Sequence, residues 1–166
     1  MPPLVENSQI LSAFVPVDLQ DGANTGDWVA LENFNQLSIV FFKAAGTAGD
    51  DPTLTIQQAT DNAGTSAKAL NFTTVYVKQG TLASVANFTK VTQSSGNTYT
   101  ATDAAEEQAI WIVEISADDL DVSGGFTHAQ GSVGDVGSNA QLGCGMYLAT
   151  QPRFAAGVAD ATSAIA

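Results

Sequence analysis

Histidine, cysteine and arginine occur once each in the 166 residues, as His128, Cys144 and Arg153. Enzyme chemistry draws on general bases, activated nucleophiles and clusters of metal ligands. With one imidazole and one thiol the chain lacks most of these parts, so it reads as a non-enzyme without a cofactor. A single cysteine makes no internal disulfide. Cys144 lies in the small apolar run QLGCGMYLA (141–149) with no cation nearby to favour a thiolate, and it reads as a buried small hydrophobe. No G-x-S-x-G, H-E-x-x-H, C-x-x-C or P-loop pattern is present. No apolar run approaches the length of a membrane-crossing helix. The opening MPPLVENSQI has neither the basic start nor the continuous apolar core of a secretory signal. A cytoplasm is the expected place of synthesis, where the sequons at Asn71 and Asn87 stay unmodified.

Positive charge is equally scarce. Five basic residues face seventeen acidic ones, for a net charge of −12. Lys43, Lys68, Lys78, Lys90 and Arg153 are spread singly along the chain. Phosphate binding needs basic side chains gathered on one face, so neither direct nucleic-acid binding nor attachment to anionic lipid is expected. The same charge repels other copies of the chain. Any homo-oligomer must therefore keep its carboxylates away from the contact.

Short apolar runs separated by Gly, Asp, Asn, Ser and Thr are what the chain has in abundance. Its length suits one domain able to bury about 70% of its unfolded surface without disulfides or metals. The runs at 10–17, 28–31, 36–43, 53–60, 72–79, 87–93, 109–116, 125–133 and 141–150 read as strands. QLSIVFFK (36–43) is the strongest, and AIWIVEIS (109–116) reads as a central strand with Trp111 in the core. Pro16 marks its strand as an edge. Leu54 and Ile56 share one face, whereas Phe72 is expected opposite Val75 and Val77. Two short helices are expected, a capping box at Asp103–Glu106 and a turn around 66–70. Neither is long enough to cover a parallel sheet, so the expected fold is an all-β antiparallel sandwich, jelly-roll-like, of about eight strands. Residues 1–9 read as an N-terminal arm, 10–153 as the sandwich and 154–166 as a C-terminal tail.

Candidate sites are few. Asp119, Asp121 and Ser123 match the opening of a calcium loop, D-x-[DN]-x-S-G, beside Asp118. The closing Glu is replaced by Gln130 and no helix flanks the motif, so a solvated turn is the expected reading. Asp50 and Asp51 precede Pro52 and read as a turn. Glu114 interrupts an apolar run, sharing a face with Ile110 and Ile112. It is the residue to test if paired carboxylates were to hydrolyse glycans. His128 has no second ligand or nucleophile beside it in sequence. Trp28, Tyr99 and Phe126 are the aromatics placed to lie exposed at sheet ends, where rings stack on sugars.

Several runs resemble a group of small proteins encoded among the head genes of tailed bacteriophages. They are 11–31, 39–61 and 69–80, then VEISADDLDV (113–122) and GDVGSNAQLGCGMYLATQPR (134–153). The resemblance implies a head decoration, or capsid cement, protein of jelly-roll type. It implies a homotrimer that binds the major capsid protein on the outside of the virion and bridges capsomers. It supplies no site residues. The alternative is a β-sandwich that binds carbohydrate, or a tail-associated module.

Overall fold

The structure is a computed structural model that describes residues 3–84, 87–101 and 105–153. A one-turn helix, α1 (Leu4–Asn7), leads into twelve strands among the described residues. They are β1 (Ser8–Asp18), β2 (Asn24–Thr25), β3 (Val29–Ala30), β4 (Phe34–Lys43), β5 (Thr53–Ala59), β6 (Lys68–Ala69), β7 (Phe72–Gly80), β8 (Thr89–Gly96), β9 (Thr98–Thr100), β10 (Gln108–Ser116), β11 (His128–Val133) and β12 (Leu142–Pro152). Every pairing is antiparallel.

The strands form two sheets packed face to face. One runs β1-β12-β4-β10-β7-β8 and the other β2-β11-β5-β6, with β3 added to β11 and β9 to β5. If β2 and β3 count as one broken strand and β7 to β9 as an insertion, eight strands remain. Their orders are 1-8-3-6 and 2-7-4-5, which is the jelly-roll arrangement. The insertion adds three strands, two of them to the first sheet, and the break between β2 and β3 adds a fourth, which is why the count is twelve. β1 begins at Ser8, and Ser8 and Gln9 pair with Thr150 and Ala149, so the sheet reaches into the segment expected as an arm. Residues 154–166 lie outside the described residues.

Alternation along the strands builds the core. Leu37, Ile39 and Phe41 of β4, Trp111, Val113 and Ile115 of β10, and Leu54 and Ile56 of β5 are all buried. Trp111 lies under Phe41 and meets the Tyr99 ring edge-on, with centroids 5.3 and 5.0 Å away. Phe72 and Val75 are both buried, contrary to the expected opposite faces, because a register shift between Phe72 and Thr74 changes the parity of β7. The helix expected around 66–70 is a turn followed by β6. Ser66 there has φ of 56°, and the next residues pair with Gln57 and Gln58. Of the capping box at 103–106, Asp103 and Ala104 lie outside the described residues, and Ala105 and Glu106 form a turn. A capping box does form at Ser116 and Asp119, closing β10 with a single 3-10 turn.

Two buried polar contacts fix the sandwich. The Tyr147 side chain of β12 crosses the core to the second sheet, where its hydroxyl accepts from Gly131 N–H at 2.9 Å. It arrives where the chain breaks between β2 and β3, so the Gly131 N–H is met by a side chain while its carbonyl still accepts from Gly26 N–H. A Cβ on Gly26 would run into that hydroxyl, and one on Gly131 would meet Ile39 at 2.8 Å. The second contact is at Ala105, whose carbonyl accepts from Gly46 N–H, the Lys43 ammonium and the Gln141 amide.

Tyr147→Phe keeps the packing but strands the buried Gly131 N–H, a loss of about 1–3 kcal/mol. Thermal unfolding should then begin about 3–10 °C lower. An unchanged melting temperature would show that the hydroxyl contributes nothing to joining the sheets.

Candidate functional site

The outward side chains of the larger sheet, β1-β12-β4-β10-β7-β8, make an apolar surface. Strand register arranges them in rows. The middle row runs Ser12, Met146, Val40, Ile112, Tyr76 and Lys90. On one side lies the row Cys144, Phe42, Ile110 and Lys78, and on the other Ile10, Leu148, Ser38 and Glu114. Ile10, Leu142, Phe42 and Met146 are 53%, 60%, 42% and 41% exposed. A jelly roll covers one face of each sheet with the other sheet and leaves the outer face to water. Alternation normally makes that face polar. Here β4, β10 and β12 carry apolar residues at both parities.

At the Cys144 end of this face lies a hollow of about 250 Å³, lined by Pro16, Phe42, Leu82, Gln108, Leu142 and Cys144 among others. Burial pushes the Cys144 thiol up, so it stays protonated at neutral pH and is no activated nucleophile. Beneath the hollow Lys43 points inward and is 1% exposed. Its ammonium donates to the carbonyls of Ala44, Ala105 and Glu107 at 3.0, 3.2 and 2.7 Å. Burial lowers it to about 8, against the pull of Asp51, Glu106 and Glu107. With its three donors engaged, Lys43 anchors the chain entering β10.

Charge is segregated. Of the seventeen acidic residues, the described strands of both sheets contain two, Asp18 and Glu114, both in this sheet, and the rest lie outside those strands. Asp18 is turned into a cap, accepting from Gln20 and Gln141 N–H. Glu114 is exposed on the outer face beyond Ile110 and Ile112. The same sheet holds three of the four lysines, Lys43, Lys78 and Lys90.

The calcium-loop residues are put to separate uses. Asp119 accepts from Ser116 N–H at 2.8 Å and closes the capping box. Asp121 accepts from Gly124 N–H and Ser123 Oγ through one oxygen, and pairs with Lys68 at 2.6 Å through the other. Ser123 is thus held by Asp121, while Asp119 faces elsewhere. Gln130 is buried, its amide donating to Gly26 O. Among the described residues no three His, Cys, Asp or Glu gather as metal ligands. Asp50 accepts from Asn139, Asp51 from Ala105 N–H, and Asp61 from Ala63 and Thr65 N–H. His128 is half-buried with Nδ1 2.8 Å from Thr127 Oγ1, and desolvation lowers it. Nor do the three expected sugar-stacking rings form an open platform. Phe126 is buried under the Lys68 ammonium, Tyr99 packs on Trp111, and Trp28 is half-buried beside Gly64. No helix among the described residues is long and apolar enough to cross a membrane.

Among solved structures, the chain is similar to the crystal structure of SPBc2 prophage-derived protein YomS. The identity is 12% and the TM-score 0.45, over 86% of this chain and 94% of that one. No protein-family model matches the chain. No curated protein matches it either. A likeness of this degree leaves function to be argued from the chain's own residues.

Two outcomes check the site's scaffolding. Lys43→Met fills the same space but leaves carbonyls without a donor, and should cost about 1–3 kcal/mol in chemical denaturation. Full stability in that variant would mean the ammonium is dispensable. Asp121 is held down to about 2 by the Lys68 hydrogen bond first, then by Ser123 and Gly124. Because its folded value lies below its unfolded one, the stability it adds is present above about pH 4 and fades as pH falls toward 2. Carboxyl NMR of Lys68→Ala should show Asp121 titrating closer to the ordinary range, and an unmoved midpoint would remove Lys68 as the main cause.

Proposed function

We propose that this protein is a virion structural protein, a capsid decoration or cement protein on the outside of a tailed-bacteriophage head. On this reading it catalyses nothing and needs no cofactor. The observation that carries the reading is the apolar, carboxylate-poor outer face of the larger sheet, a surface suited to burial within a multi-subunit assembly. The jelly-roll sandwich and the resemblance of 11–153 to small phage head proteins support it. The acidic charge supports it as well, since a −12 chain is repelled by packaged DNA and suits the exterior of a shell.

The mechanism is surface complementarity. A decoration protein adds contact area across the boundary between capsomers, at about 25 cal/mol per Å² of apolar surface removed from water. That area resists the outward pressure of packaged DNA. The partner is the major capsid protein in its assembled form, and the protein itself acts as a homo-oligomer, three copies by the resemblance. It is made in the host cytoplasm and ends on the virion surface.

Co-sedimentation with emptied phage heads tests this. The expected result is saturable binding to assembled heads, no binding to unassembled capsid subunits, and heads that withstand higher temperature once coated. Purified particles that lack the protein, or equal binding to free subunits, would overturn the reading.

A further inference from the structure

We propose that the outer face of the larger sheet, β1-β12-β4-β10-β7-β8, is a two-fold interface between two copies of this chain. The inference shares with the reading above the premise that the protein works as an assembly, and departs from it in number, two copies in place of three.

The occupant follows from charge. At −12, the chain approaches a second copy at least cost through a surface poor in carboxylates; the strands of both sheets are poor in them, and of the two outer faces this one is also apolar. The strands β12, β4, β10 and β7 contain one acid, Glu114, and one lysine that strand alternation points outward, Lys78. Both lie on the apolar face itself. Any heterologous ring sets this face either against the segments outside the described strands, which carry fifteen of the seventeen acids, or against the other sheet, whose strands carry none but turn mainly polar side chains outward. The face is its own best complement.

The register then selects the rotation. Glu114 is four residues from Ile110 along β10, about 13 Å. Ile110 pairs with Lys78 across to β7. Consider a two-fold axis lying along the middle row Met146, Val40, Ile112 and Tyr76, midway between two packed faces. It lays each strand over its own counterpart and exchanges the two flanking rows. Glu114 of one copy then comes over Ile110 of the second, one strand spacing, about 4.8 Å sideways, from the second copy's Lys78. Symmetry repeats the pair in the other direction. A two-fold along the strands instead keeps Glu114 in its own row, against Ser38 of β4 or Leu148 of β12, with no lysine opposite. Lys90 ends the middle row on the outermost strand β8, where sheet twist splays the corners of packed faces apart. The apolar middle row packs on itself, and the two Glu114–Lys78 pairs fix orientation.

Light scattering coupled to size-exclusion chromatography, at low and high salt, reads the state directly. The expected mass is twice the 17.1 kDa chain, favoured by salt because screening weakens the repulsion between acidic copies. Ile112→Lys should elute as a monomer with an unchanged circular dichroism spectrum. Glu114→Lys should raise the dimer dissociation constant about tenfold by setting like charges together. Adding Lys78→Glu should restore it, because the swap exchanges the partners without altering the register. A monomer at every concentration, a trimer mass, or a charge swap that fails to rescue overturns the pairing. Head binding is scored separately. Dimers that ignore heads remove the decoration reading and leave the pairing, whereas monomers or trimers that coat heads do the reverse.

Discussion

Tyr147 reaches from one sheet into the backbone of the other, and much of the sandwich is arranged around that reach. The hydroxyl needs Gly131 N–H free of a strand neighbour, and the break between β2 and β3 provides this. The approach demands glycine at 26 and 131, where any side chain would collide. The same strand turns Gly143 and Gly145 inward, and the space they leave is filled by Leu19 and Phe14. A bolt of this kind sets the spacing and the lateral offset of the two layers together. Side-chain burial alone is non-directional and would tolerate sliding.

A fixed spacing makes the outer face of the larger sheet a stable shape rather than a fluctuating one. The acids are deployed to the same end. Asp18, Asp50, Asp51, Asp61, Asp119 and Asp121 each accept a backbone N–H in a turn or at a short helix. The residues that give the chain its charge are also those that shape its loops. This places negative charge around the ends of the sandwich and leaves the broad sheet nearly free of it. Negative charge and exposed apolar area thus occupy different parts of the molecule.

The strands with regular alternation were legible in the sequence. Leu54 and Ile56 of β5 and Trp111, Val113 and Ile115 of β10 lie inward as period two requires. The jelly-roll class followed from the number and spacing of such runs. β2, β6 and β9 were not legible, because strands of two or three residues carry no periodicity and form only where a longer strand offers an edge. The bulge that turns Phe72 and Val75 to the same side has no local signature. The calcium pattern at 119–123 was legible as a pattern, but caps and calcium loops draw on the same residue types, and which one forms depends on whether the carboxylates converge. The apolar outer face had a signature that was open to a second meaning. QLSIVFFK and AIWIVEIS are apolar at both parities, which a strand buried on two faces and a strand awaiting a partner share. Lys43 gave no warning at all, since its burial depends on three carbonyls distant in the chain or contributed by the next residue.

The edges of the larger sheet have a consequence for how far association proceeds. β1 carries Pro16, which offers no N–H, and two register shifts that kink its outer side. β8, at the opposite edge, presents Lys90 and a run of polar side chains. Neither border offers the flat, hydrogen-bond-ready rim on which strands stack without end. Sideways growth into ribbons is therefore disfavoured at both margins of this sheet, and the surface it leaves for contact is the broad one.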